Sequence, residues 1–416
     1  MDVTERTLWR HGDFMKLWTG QTVSELGSVV TRTALPIAAV ITLHANAIEV
    51  GILVASASSA VLLVGLFAGA LVDRSRRRPL MITADAIRAV LLLSIPAAAI
   101  AGTLRIELLY VVAFIEAALG SIFDVAYRTY LPSLLPADRL LEGNAKIGMT
   151  SAIAEIGAPG IGGALVQLIT APMALLVDAG SYVISAITIA VIRAPERIVE
   201  RVEGSAGLRR QLAEGLAAVA RHPLLRPMAL ASVTGALFGN FFAALYTIYA
   251  LDELGLSPFL LGVVVSAGGV GSLAASAVVG PLTRRLGFGP AIVWTRVAGT
   301  IIGVLVPLAG GPPLAAAAFL SVPQLFGDGL ATIAQIDQLT VRQQVTPSQM
   351  LGRVNGTLHV LVDGVGPIGA IAGALVAEAI GIRGALWVSV IGSFAGNGFL
   401  VLSPLRTLRT VPVADR

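Results

Sequence analysis

The sequence predicts an all-α membrane protein, twelve transmembrane helices arranged as two pseudo-symmetric six-helix bundles. Three observations predict it. Hydrophobic residues make up 56% of the 416 and charged residues only 13%, where a soluble domain carries about 25% charge. Apolar runs of about 20 residues, the length that crosses a bilayer, recur along the chain and do not alternate as β-barrel strands would. The third observation is a repeat. Gly51 to Arg74 reads GILVASASSAVLLVGLFAGALVDR, and Gly262 to Arg285, 211 residues later, reads GVVVSAGGVGSLAASAVVGPLTRR. The same shift carries Gly69 onto Gly280, Pro136 onto Pro347 and Asn144 onto Asn355. One register across separated landmarks marks a duplicated bundle.

Taken in order, residues 1–13 are a polar, basic start on the cytoplasmic side. Apolar runs then predict spans 1 to 6 over 14–42, 48–72, 79–102, 107–131, 140–169 and 173–193. Spans 1 and 2 are joined by a short loop. Spans 2 and 3 are separated by Gly69-Ala70-Leu71-Val72-Asp73-Arg74-Ser75-Arg76-Arg77-Arg78-Pro79. No hydrophobic helix continues through five charges, so this is a tight turn, and its arginines place it in the cytoplasm. From Arg193 to His222 comes the one break in composition, with Arg197, Arg201, Arg209, Arg210 and Arg221 among Glu196, Glu200, Glu203 and Glu214. That is a linker, and its part from Leu208 to Ala220 is amphipathic enough to lie on a membrane surface. Spans 7 to 12 follow over 224–251, 258–283, 288–309, 314–345, 350–379 and 383–404, ending in a basic tail with Arg406 and Arg409. The expected organisation is a bundle over 1–193, a linker over 194–222 and a second bundle over 223–416.

A sequence pI near 9.7 invites a nucleic-acid reading, and the positions of the basic residues argue against it. Of 29 Lys and Arg, only Arg105 and Arg383 fall in loops expected outside. An even number of spans returns both termini to the cytoplasm, as the positive-inside rule requires. The first apolar run is long and lacks a small-residue cleavage site, so it reads as a retained helix. There is no cysteine, which excludes disulfides and thiolate chemistry. His11, His44, His222 and His359 are scattered without metal-ligand spacing, and no G-x-x-x-x-G-K-[ST] phosphate loop occurs. An enzyme, a metal or cofactor site and an ATP-driven machine are therefore not expected.

At the turn after span 2 the residues resemble the major facilitator superfamily, over essentially the whole chain. Gly69, Leu71, Asp73, Arg74, Arg77 and Arg78 match that family's G-x-L-x-D-R-x-G-R-[RK], with Arg76 in place of the second glycine. In span 5, Gly157, Pro159, Gly162 and Gly163 are similar to the exporter pattern G-P-x-x-G-G, with Ala158 where glycine is usual. Leu17 to Ser24 and Tyr127 to Pro136 look like the branch of enterobactin-type siderophore exporters and macrolide efflux proteins. The resemblance implies a monomeric transporter of a bacterial inner membrane that exports small molecules by alternating access, usually in exchange for protons. It implies that Asp73 faces the N-terminal end of span 11 and that spans 1, 4, 7 and 10 line the substrate path.

The charges then acquire roles. Asp73, with Arg74, Arg77 and Arg78, is the candidate for a latch that holds the halves closed on the cytoplasmic side, joined by Asp124 and Arg128 at i,i+4. Charges inside a membrane are costly unless paired or wet. Glu25, Glu116, Glu155 and Asp363 are candidate proton carriers, since an acid in an apolar setting can take up and release a proton in a working range. Arg32, Asn240, Phe241, Tyr246, Gln324, Asp328 and Gln335 are the candidate substrate residues. Of these, Gln324, Asp328 and Gln335 form with Thr332 a polar stripe on span 10, and the aromatics of span 7, including Tyr249, suit an amphiphile. Asp85 with Arg88 at i,i+3 reads as a structural pair, and Asp178 is open to either Arg32 or Arg88. The readings left standing are export of a drug-like amphiphile, a dedicated siderophore or metabolite exporter, and a non-transporting sensor on the same scaffold.

Overall fold

The computed structural model describes residues 8–194, 196 and 208–411; Arg197, Glu200, Arg201 and Glu203 of the expected linker lie outside them. Twelve helices are long and apolar enough to cross a membrane: Gly12–Thr42, Ala47–Asp73, Arg77–Ile100, Ile106–Leu134, Leu140–Ile169 and Ala171–Ala190 (spans 1 to 6), then Leu225–Glu253, Pro258–Leu286, Phe288–Leu308, Pro313–Val345, Ser348–Ile380 and Ile382–Val401 (spans 7 to 12). No strand occurs among the described residues. The predicted spans agree with these to within a few residues.

The 211-residue register survives in detail. Spans 6 and 12 are both 20 residues long and start at Ala171 and Ile382. A π-helical turn closes span 1 at Ala38–Thr42 and span 7 at Tyr249–Glu253. Thr170 caps the start of span 6 with φ 79°, and Gly381 does the same for span 12 with φ 82°. That conformation is free for glycine and strained for threonine, so the geometry belongs to the fold and not to the residue. Both bundles build a core at the same end. The first packs Phe14, Leu17, Met81, Tyr130 and Ile189. The second packs Leu225, Met228, Ile292, Val341 and Leu400, the residues at the same five repeat positions.

Lipid offers no hydrophobic drive between helices, so close approach of small residues must hold each bundle. In the first, Gly20 and Gly27 of span 1 lie directly on span 6, at Thr188 and Ser181. In the second, Gly271 of span 8 sits against the backbone of Leu325, and Gly373 of span 11 against Phe241.

Contacts divide the chain into residues 1–45 with 56–202, and 46–55 with 203–416. The segment 46–55 is grouped with the second unit because Gly51 rests on Ala370 and Ala374. The linker helix Leu208–Arg221 also belongs there. Its Glu214 bonds Arg353 and accepts from Arg210 at 2.8 Å, and Thr357 donates to the Leu212 carbonyl at 3.3 Å. The Arg210 hydrogen bond, with Arg353 adding to it, holds the Glu214 carboxyl below its usual 4.5. A depressed acid stabilises the folded form above its unfolded value and loses that effect as pH falls through the folded one. Amide exchange across 208–221, corrected for intrinsic rate, should therefore stay flat as pH falls toward 4.5 and rise only below it. A rise already near neutral pH would mean that Glu214 does not anchor this helix.

Candidate functional site

The candidate residues of the first bundle separate into two groups. The first is an exposed triad. Arg32 lies 3.7 Å from Glu25, seven residues back on span 1, and 3.8 Å from Glu155 of span 5. All three stand near the middle of their spans, yet Arg32 is 59% exposed, Glu25 37% and Glu155 61%. Charges at that depth are costly unless paired or wet, and these three both pair with one another and remain exposed. Span 5 can approach because Gly162 lies on Val30 and Thr33, while Gly157 faces open space.

The second group, around Arg88, is largely buried and includes Glu116. Glu116 turns into the bundle, where it bonds Arg88 and accepts from the Tyr182 hydroxyl at 2.9 Å. Arg88 stacks over the Tyr182 ring at 3.9 Å and lies 3.9 Å from Asp85, which is fully buried. The expected Asp85–Arg88 pair is thus the weaker contact of a larger network. Asp178 takes neither of its expected partners. It accepts from Thr31 at 2.5 Å and from Ser181 at 2.8 Å, again fully buried. Arg88 thus pairs with two acids, Asp85 and Glu116, and Asp178 lies buried nearby on hydroxyl donors of spans 1 and 6.

At the turn after span 2 the arginines are held differently from the expected latch. Glu196 accepts from the backbone N–H of Arg77 at 2.6 Å, capping the start of span 3, where the helix dipole favours an anion. The Arg77 side chain reaches Thr129 at 3.1 Å, and Arg78 donates to the last carbonyls of span 6, Ile189 and Ala190. Asp73 and Arg74 are exposed, and Asp73 makes no ion pair among the described residues. Asp124 and Arg128 are exposed on one face of span 4. Gly69 has open space around it, so its smallness is not needed for packing within the first bundle.

In the second bundle the expected aromatic wall breaks up. Phe241 is buried against Gly373, and Tyr249 is fully buried, donating to the carbonyls of Val306 and Ala309. Asn240 returns its amide to the Ala236 carbonyl at 2.8 Å. Tyr246, Gln324 and Asp328 do line one cavity, with Phe242, between spans 7, 9, 10 and 12. Gln335 lines another, beside Ser232 and Arg342. Asp328 and Gln335 both follow the π-helical turn at Pro323–Gly327, in one α-helix, so it is the two turns of helix between them, about 10 Å of depth, that put them in different cavities. Asp363 pairs with His359 at 3.7 Å on an exposed face.

The comparisons with known proteins agree with this architecture. The family model described as Major Facilitator Superfamily matches residues 17–367. The multidrug efflux pump Tap of Mycolicibacterium fortuitum is 28% identical over 82% of this chain and 83% of its own length. Macrolide efflux protein A of Streptococcus pyogenes is 23% identical over 89% and 90%. Among solved structures, the nucleoside transporter NupG superposes with TM-score 0.74 at 16% identity, covering 94% of this chain and 97% of that one. A bacterial homologue of the iron transporter ferroportin, inward-facing, gives 0.72 at 17%, covering 95% and 99%. At such identities these structures speak for the fold.

Proposed function

Since this chain belongs to the major facilitator superfamily and is a multi-pass membrane transporter, we propose that it exports an amphiphilic, drug-like small molecule in exchange for protons. Export proceeds by alternating access, from a bacterial inner membrane with both termini in the cytoplasm. The observation that carries the reading is the triad of Glu25, Arg32 and Glu155. Two acids share one guanidinium on an exposed face, so a proton taken by one acid hands the arginine to the other. The names of two relatives, a multidrug efflux pump and a macrolide efflux protein, support the substrate class. Asp73, free of the neighbouring arginines, remains the candidate for the cytoplasmic latch.

The test is uptake of labelled macrolide and cationic dye into inverted membrane vesicles, with and without an inward-acid gradient. Uptake should require the gradient and collapse when a protonophore dissipates it. Asp73→Asn should lower that uptake while leaving the amount of inserted protein unchanged. Uptake of hydroxy-acid chelators alone would favour a dedicated siderophore or metabolite exporter, with Arg32 holding the anion. No gradient-dependent uptake across the panel would favour a sensor.

A further inference from the structure

Shifted by 211 residues, the buried charge network of the first bundle falls on an empty space in the second. Asp85 maps onto Arg296, Arg88 onto Gly299, Glu116 onto Gly327, Asp178 onto Ser389 and Tyr182 onto Ser393. All five second-bundle residues line the same cavity of about 300 Å³. The substitutions explain the void. Where an arginine, a glutamate and a tyrosine fill the first bundle, two glycines and a serine stand in the second.

They also leave a charge behind. Arg296 lies mid-way along span 9, and its Nη2 donates to the Ala231 carbonyl at 3.0 Å. No acid pairs with it among the described residues, although Asp328 lines the same cavity. A Cβ on Gly235 would meet the guanidinium at 2.6 Å, so span 7 carries a glycine where the cation passes. An unpaired cation at this depth is costly. Beside it Asn397, 2% exposed, gives its amide protons to the Arg296 carbonyl at 3.2 Å and to Thr300 at 2.8 Å, while its Oδ1 has no partner. Ser389 and Ser393 on the cavity wall spend their protons on backbone carbonyls at 2.7 and 2.8 Å, which leaves their hydroxyls only acceptor capacity. The site therefore offers one strong cationic donor, several acceptors and an apolar wall.

We propose that this cavity binds a small amphipathic organic anion, with one acid group on Arg296 and an apolar body against Phe242, Val306 and Val390. The volume lies at the low end of the range of about 300–1,000 Å³ for ligand pockets, which fits a compact ligand and excludes a macrolide. Asp328 on the wall repels a second negative charge, so the ligand is a monoanion. Its acid group comes from a free carboxylate or from a lipid. The site stands whatever the chain exports and whatever drives it.

The experiment uses the full-length protein purified in an uncharged detergent, with sodium benzoate as the probe. Benzoate should raise the unfolding temperature saturably, as a ligand of the native state does, and benzyl alcohol should not. By calorimetry, Arg296→Gln should weaken benzoate binding about tenfold or more, the size of a lost hydrogen bond to a charged group. Ser393→Tyr, which restores the bulk that Tyr182 supplies in the first bundle, should abolish binding while leaving Arg296 in place. It keeps the test decisive if Arg296→Gln does not fold. Native mass spectrometry separates the sources: an anionic lipid retained by the wild type and lost from Ser393→Tyr identifies the occupant as a lipid acid group. The absence of both benzoate stabilisation and a retained anionic lipid would overturn the proposal. So would an equal benzoate effect in the wild type and Ser393→Tyr.

Discussion

Replacing Arg88 by methionine is expected to destabilise the protein by about 3–5 kcal/mol, the cost of removing one partner from a buried ion pair. Arg88 is 7% exposed, bonded to Glu116 and stacked on Tyr182. Asp85 and Asp178 are fully buried in the same space. Methionine fits the volume, so the loss is electrostatic and not a cavity. Asp85 and Glu116 would then be left in the bundle interior without their counter-charge. Urea or thermal unfolding in detergent reads the loss. The double variant Arg88→Met with Glu116→Gln removes both members of the strongest contact, and it should recover about 1 kcal/mol or more relative to Arg88→Met alone. A double variant no more stable than the single one would show that Glu116 is not what Arg88 neutralises.

Glu25→Gln and Glu155→Gln should each reduce gradient-driven export to the level measured without a gradient. The comparison of magnitudes picks these two acids over the buried ones. An exposed ion pair contributes about 0–1 kcal/mol, so exchanging one of Arg32's partners costs little at each transport cycle. The Arg88 network would forfeit several times that on each exchange, which suits a structural tie. In both variants Arg32 keeps one acid permanently, and proton uptake no longer changes its pairing. Counterflow of substrate between equal pools, which needs no net proton movement, should persist and shows that the variants are folded and bind. Full gradient stimulation in both variants would remove the triad from the coupling mechanism.

Much of this was legible because each signal was local or periodic. Span length and apolarity follow from the bilayer thickness, and arginine placement follows from membrane orientation. The duplication followed from a register that any pair of landmarks could test. The roles of Glu116 and Phe241 were not legible. A helix shows its inward and outward faces only when its rotation is known, and nearly every position of a membrane helix is apolar on both. Depth is hidden as well: Asp328 and Gln335 lie two helical turns apart after the π-helical turn at Pro323–Gly327 and line different cavities. Glu196 was invisible for a different reason. A single acid in a charged linker looks like any other until the start of span 3 is folded beside it.

The sequence by itself determined the class, the number of spans, the two-bundle repeat and the family, because these rest on composition and on spacing along one chain. Only the tertiary structure decided which charges meet. Arg32 with Glu25 and Glu155, Arg88 with Glu116, and Arg296 with no acid among the described residues are outcomes of helix rotation and depth across separate spans. Ion pairing depends on distances of a few ångströms between residues that lie up to 123 positions apart in the first bundle, as Arg32 and Glu155 do, and no pattern along the chain encodes them.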